Sequence, residues 1–140
     1  MKTAVVYWSG TGNTGEMARL VAEGARSAGA EADVMQIADF GPEKAADYEG
    51  IAFGCPAMGS EELEDLEFAP AFEACTGSLS GKRIGLFGSY GWGDGEWMRS
   101  WEDSCREQGL NLVSEGVTAC GAPDAEAAES CRELGRLLAE

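Results

Sequence analysis

Val5-Val6-Tyr7-Trp8-Ser9-Gly10-Thr11-Gly12-Asn13-Thr14 decides the reading of this chain. An apolar run meets a short loop of hydroxyls, glycines and one amide, and the loop opens a helical stretch over residues 15–28. Such a turn directs backbone N–H groups and the positive end of a helix dipole at one point, and that point suits a phosphate. No Lys or Arg lies in the loop, so hydrogen bonds rather than a countercharge would hold the phosphate.

Outward from this turn, further apolar runs stand at residues 51–55, 84–88, and 110–113 with 117–120, beside the first at 4–8. They are continuous, as expected for parallel strands covered on both faces. A weaker run at 32–37 fits a second strand. Between them, Met17, Leu20, Val21, Ala25 and Ala28 share one helical face, and Trp97, Met98, Trp101 and Cys105 share another. A third face runs from Ala127 to Leu138, introduced by Pro123-Asp124. These stripes read as core. Pro70 is tolerated only in a first helical turn, so residues 60–67 read as loop. The alternation predicts a single α/β domain over residues 1–140, with a doubly wound five-stranded parallel sheet and helices on both faces. Ligands of such sheets bind beyond the carboxyl ends of the strands. The loops there are 9–14, 55–62, 89–94 and 120–123.

Composition narrows the function. The chain has 140 residues, 44% hydrophobic, enough for one domain with a core. Its formal net charge is −15, from 25 acidic and 10 basic side chains. That sign argues against nucleic acid and against an acidic membrane surface. The acidity either serves solubility or attracts a partner with a basic docking surface. Residues 45–81 hold no Lys or Arg but carry Asp47, Glu49, Glu61, Glu62, Glu64, Asp65, Glu67 and Glu73. One side of the pocket is therefore expected to be strongly negative. There is no His, which removes imidazole-dependent triads and zinc sites. The cysteines, at 55, 75, 105, 120 and 131, are odd in number and never spaced C-x-x-C. They read as core thiols of a reducing cytoplasm rather than disulfides or cluster ligands. Met1-Lys2-Thr3 runs straight into a strand, with no signal peptide expected.

Gly10, Gly12 and Gly15 also satisfy the dinucleotide pattern G-x-G-x-x-G. That reading wants an acid at the end of the second strand. Asp33 stands too early and Asp39 lies in the next loop. Ser9, Thr11, Asn13 and Thr14 could instead donate together to one terminal phosphate, which favours a mononucleotide. The second and third loops are glycine-rich. Trp92, between Gly91 and Gly93, reads as a stacking surface for a flat aromatic ligand, or else as a cap on an apolar edge. Met58 could cover the ligand's other face, or else fill a gap.

Three segments now stand in register: residues 7–14, Gly54-Cys55-Pro56-Ala57-Met58-Gly59-Ser60-Glu61-Glu62, and Leu86-Phe87-Gly88-Ser89-Tyr90-Gly91-Trp92-Gly93. Over essentially its whole length the chain resembles the short-chain flavodoxins, low-potential electron carriers of anaerobic bacteria. The resemblance implies a 2-1-3-4-5 sheet, one non-covalent FMN, and no turnover of a substrate. By position, Ser9, Thr11, Asn13 and Thr14 would bind the phosphate with N–H groups around Gly10 and Gly12. Trp92 would stack on one face of the ring, and Met58 would cover the other. Glu61 would meet the pyrimidine edge, and N–H groups near Trp92 and Gly93 the carbonyl beside N1. The Gly59 carbonyl would turn to accept a hydrogen bond from N5–H once the flavin is half reduced. Pro56, Ala57, Ser60, Ser89, Tyr90 and Gly91 complete the two ring-flanking loops. Pro56 stands where some members carry Ser, and Ser60 where others carry Asp or Gly. The implied partners are proteins with basic docking surfaces, of the kind that otherwise use ferredoxin, met by a monomer. The rival within the fold is an NAD(P)H-dependent FMN or quinone reductase. It would need a basic cluster for a second anionic cofactor, and the loops offer none.

Overall fold

In the computed structural model, which describes residues 2–8, 12–58, 63–91 and 95–140, the apolar runs form a parallel sheet. In chain order the elements are β1 (Lys2–Tyr7), α1 (Asn13–Ser27), β2 (Glu31–Gln36), α2 (Pro42–Ala45), β3 (Gly50–Gly54) and α3 (Phe68–Cys75). Then come β4 (Arg83–Tyr90), α4 (Glu96–Glu107), β5 (Asn111–Leu112), β6 (Val117–Cys120) and α5 (Ala125–Leu138). The strands run in the order β2-β1-β3-β4-β5, and β6 also pairs with β4. β5 and β6 are the two halves of one position: Ile84 faces Leu112 and, further along, Phe87 faces Val117. Between these pairs residues 113–116 bulge out, and the Gly116 N–H is tied down by the Glu102 carboxylate of α4. The expected order 2-1-3-4-5 is the observed one, with its last strand interrupted.

The continuous apolar runs are explained by two cores. Ala4, Val6, Ile51, Phe53, Ile84 and Leu86 face α3 and α4. Val5, Ala52 and Phe87, from the same strands, face α1 and α5. Alternate residues point to opposite faces, and both faces are covered. α1 and α5 pack almost backbone to backbone. A Cβ on Gly24 would lie 2.0 Å from the Arg132 carbonyl oxygen, and one on Gly135 would lie 2.0 Å from that of Val21.

Two elements differ from the sequence reading, and a third agrees with it. Ile37 leaves β2 and begins a short 3-10 turn, Ile37–Asp39, that buries it. α2 was not expected; four residues are too few for a helical period to show, and it buries only Ala45. α3 starts at Phe68 with Pro70 in its first turn, as the proline requires.

Candidate functional site

The carboxyl ends of β1, β3, β4 and β6 meet at one rim. A half-open cavity of about 240 Å³ lies there, lined by Trp8, Asn13, Pro56, Ala57, Met58, Ser89, Tyr90, Gly91 and Gly121. A larger groove, about 520 Å³, runs along β6 and α5. Its lining includes Glu115, Glu126 and Glu133 and no aromatic residue, so it suits a flat anionic ligand poorly, and chemistry rather than size selects the first cavity.

α1 begins beside this cavity. Gly12 precedes it with φ +97°, a conformation that favours glycine, and among the described residues no side chain caps the helix. The first N–H groups of a helix have no acceptor within it. At α5 one of these groups is already taken, because Asp124 accepts from the Ala127 N–H at 2.8 Å. At α1 they remain suited to an anion. Thr14 is buried, and its Oγ1 accepts from the Ser89 N–H at 3.3 Å. A hydroxyl that accepts still has its own proton to donate, and at this place the recipient would be a phosphate oxygen. The Ser89 hydroxyl is used otherwise: it donates to the Gly121 carbonyl at 2.7 Å and fastens the 121 loop to β4.

The apolar walls are anchored from behind. The Ala57 N–H donates to the Ser89 carbonyl at 3.0 Å, extending the β3–β4 pairing into the loop. The indole of Trp8 donates to Glu67 Oε1 at 3.2 Å, and that of Trp97 to the Cys55 carbonyl at 3.2 Å. Tyr90 rests against Trp97 with ring centroids 5.5 Å apart. Met58 is 37% exposed at the cavity mouth. Burial pushes the Cys55 thiol up to about 12, so it stays protonated and is a packing group rather than a nucleophile. The set combines an apolar, aromatic-walled slot with neutral donors at one end. It fits a flat ring carrying a phosphate tail.

Of the expected site residues, Gly12, Asn13, Thr14, Pro56, Ala57, Met58, Ser89, Tyr90 and Gly91 lie together here. Ser9, Gly10, Thr11, Gly59, Ser60, Glu61, Trp92 and Gly93 fall outside the described residues. Two lining residues were missed. Gly121 carried a signal, a glycine just past the last strand, where φ is +72°. Trp8 was read as the end of a strand and part of the 7–14 segment, without a place among the site residues. Of the eight acids expected on one side of the pocket, Glu61 and Glu62 fall outside the described residues, Glu67 bonds the lining Trp8, and others lie elsewhere. Asp47 and Glu49 precede β3, and the Glu49 N–H bonds Lys2 at the start of β1, so both sit at the opposite end of the sheet. Glu64 is 4% exposed and turned inward. Asp33 accepts from the Tyr48 hydroxyl at 2.7 Å, away from the strand end where a ribose would lie. Among the described residues no acidic or thiol cluster could hold a metal ion.

A family model described as Flavodoxin matches residues 5–135. The flavodoxin of Clostridium beijerinckii is 41% identical over 135 residues, covering 96% of this chain and 97% of that one. The flavodoxin of Megasphaera elsdenii is 42% identical over 136 residues, with 97% of each covered. The solution structure of the two-electron reduced Megasphaera elsdenii flavodoxin superimposes with a TM-score of 0.90 over 98% of both chains. Sequence and fold agree along nearly the full length. The chain belongs to the flavodoxin family and is a small FMN-binding electron carrier rather than an enzyme.

Proposed function

We propose that this carrier, a single domain over residues 1–140, holds FMN with its phosphate at the start of α1 and its ring in the slot at the sheet's carboxyl rim. The observation that carries this reading is Thr14: a buried hydroxyl, orientated by the Ser89 N–H, stands at the start of a helix beside an aromatic-walled cavity. Asn13 and Thr14, with Ser9 and Thr11, supply the neutral donors. Pro56, Ala57, Met58 and Tyr90, with Trp92, cover the ring. When bound, the flavin supplies one-electron redox chemistry. The chain's own part would be to grip the phosphate without a countercharge, exclude water from the ring faces and offer the Gly59 carbonyl as an acceptor for a ring N–H. Met58 at the cavity mouth supports an open ring edge for exchange with partners. A net charge of −15 supports partners with basic docking surfaces and opposes self-association, consistent with a monomer. Buried thiols support a reducing, cytoplasmic setting, and no helix among the described residues is long and apolar enough to cross a membrane.

Spectroelectrochemical titration of the FMN-loaded protein tests the reading. Two separated one-electron waves are expected, with the second potential below that of free FMN, and no steady NAD(P)H consumption. A single two-electron wave with sustained NAD(P)H oxidation would point to a reductase instead.

A further inference from the structure

Glu64 is the least expected acid in this chain. It is 4% exposed, and no cation pairs with it among the described residues. Burying a charge without a countercharge is unfavourable unless hydrogen bonds replace the lost water. Here they do. Oε1 accepts from the Glu67 and Phe68 N–H groups at 2.8 and 2.7 Å, and Oε2 accepts from Leu66 N–H at 2.8 Å. Burial pushes its carboxyl up, the three N–H groups pull it down by more, and the net lies below the usual carboxylate range. These bonds also start α3, because Glu67, in the cap position, makes no capping bond of its own.

What distinguishes Glu64 is where its bonds lead. Its own N–H donates to Cys55 Sγ at 3.3 Å, and Cys55 is followed directly by the cavity wall Pro56-Ala57-Met58. Its carboxylate fixes the backbone of Glu67, whose side chain receives the Trp8 indole. Trp8 lines the same cavity. Two independent routes from one residue therefore end on the site.

We propose that Glu64 is a positioning residue for the flavin slot: its carboxylate and N–H together set the placement of Trp8 and of residues 56–58. The proposal rests on the site reading above and deepens it. A residue that only starts α3 would affect stability and leave the slot unchanged.

The test compares the wild type with Glu64→Gln, Glu64→Ala and the exposed control Glu73→Gln, each as the full chain. Two quantities are read: the dissociation constant for FMN, from flavin fluorescence quenching, and the indole ¹⁵N–¹H resonance of Trp8. Glu64→Ala is expected to weaken FMN binding by about tenfold or more, and Glu64→Gln, which keeps one acceptor oxygen, by about threefold. The Trp8 resonance should move in both and stay in place in Glu73→Gln. An FMN affinity within about twofold of wild type, with an unmoved Trp8 resonance in Glu64→Gln, overturns the proposal even if that protein melts earlier. If the alanine variant does not fold, the near-isosteric glutamine variant decides. Should the wild type itself take up no FMN, the site reading fails separately, and the Trp8 resonance alone judges Glu64.

Discussion

Thr14 and Glu64 show how differently two polar residues declare themselves. Thr14 stood out because its neighbours did: hydroxyls and glycines between a strand and a helix have a limited set of uses, and phosphate binding is the proposed one. Glu64 did not, because an acid in an acidic run looks like a solvated one, and burial is decided by chain path rather than composition. Its state has a consequence for stability. A carboxylate whose folded pKa is depressed contributes stability above its unfolded value, about 4.3, and loses it as pH falls through the folded value. Between about pH 5 and pH 3, chemical denaturation should therefore show a steeper loss of stability in wild type than in Glu64→Gln. Repulsion among the other carboxylates relaxes in both proteins, so the difference isolates this group. Parallel profiles would mean the carboxylate does not prefer its ionised form in the fold.

Among the elements, strands were the most readable. Ile51-Ala52-Phe53 is apolar throughout because Ile51 and Phe53 enter one core and Ala52 the other. α2 was unreadable, being shorter than the period that would reveal it. α4 carries a contrast that the sequence could not show. Trp97 and Trp101 lie one turn apart and are both almost fully buried, 2% and 3% exposed. The Trp97 indole has the Cys55 carbonyl as acceptor, whereas Trp101 Nε1 is buried with no partner among the described residues, its ring set edge-on against Phe68 and Phe72. An unsatisfied buried donor costs about 1–3 kcal/mol. Trp101→Phe removes that cost as it removes buried area, and is expected to change stability by less than about 1 kcal/mol. Trp97→Phe loses area and strands a carbonyl, and should cost about 2–4 kcal/mol. Equal losses in urea denaturation would show that Trp101 has an acceptor in solution.

At the scale of the molecule, charge dominates. Arg19, Arg132 and Arg136 are drawn into ion pairs with Glu16, Glu23, Glu129 and Glu133 along the exposed faces of α1 and α5. Exposed pairs of this kind contribute little and are weakened by salt. Repulsion within a chain of net charge −15 is weakened by salt as well, and it is the larger quantity. Raising NaCl from about 20 mM to about 500 mM, which shortens the screening length severalfold, should therefore raise the melting temperature. A fall would place the ion pairs above the repulsion. Two-sided burial was accessible from residue patterns, and the strand order from the family resemblance that those patterns carried. The interrupted fifth strand and the anchoring behind the slot were not, because both depend on contacts between residues distant in the chain, such as Gly116 with Glu102 and Trp8 with Glu67.

On the proposed reading, neutral donors at the start of α1 grip a phosphate while the neighbouring slot takes the ring. Fluorescence titration of the flavin-free protein with FMN and, in parallel, riboflavin measures this directly. One FMN per chain should bind with quenching, and riboflavin, which lacks the phosphate, should bind at least about a hundredfold more weakly, as expected when several hydrogen bonds to a charged group are lost. Equal affinity for the two would contradict the phosphate grip, and uptake of neither would contradict the site itself.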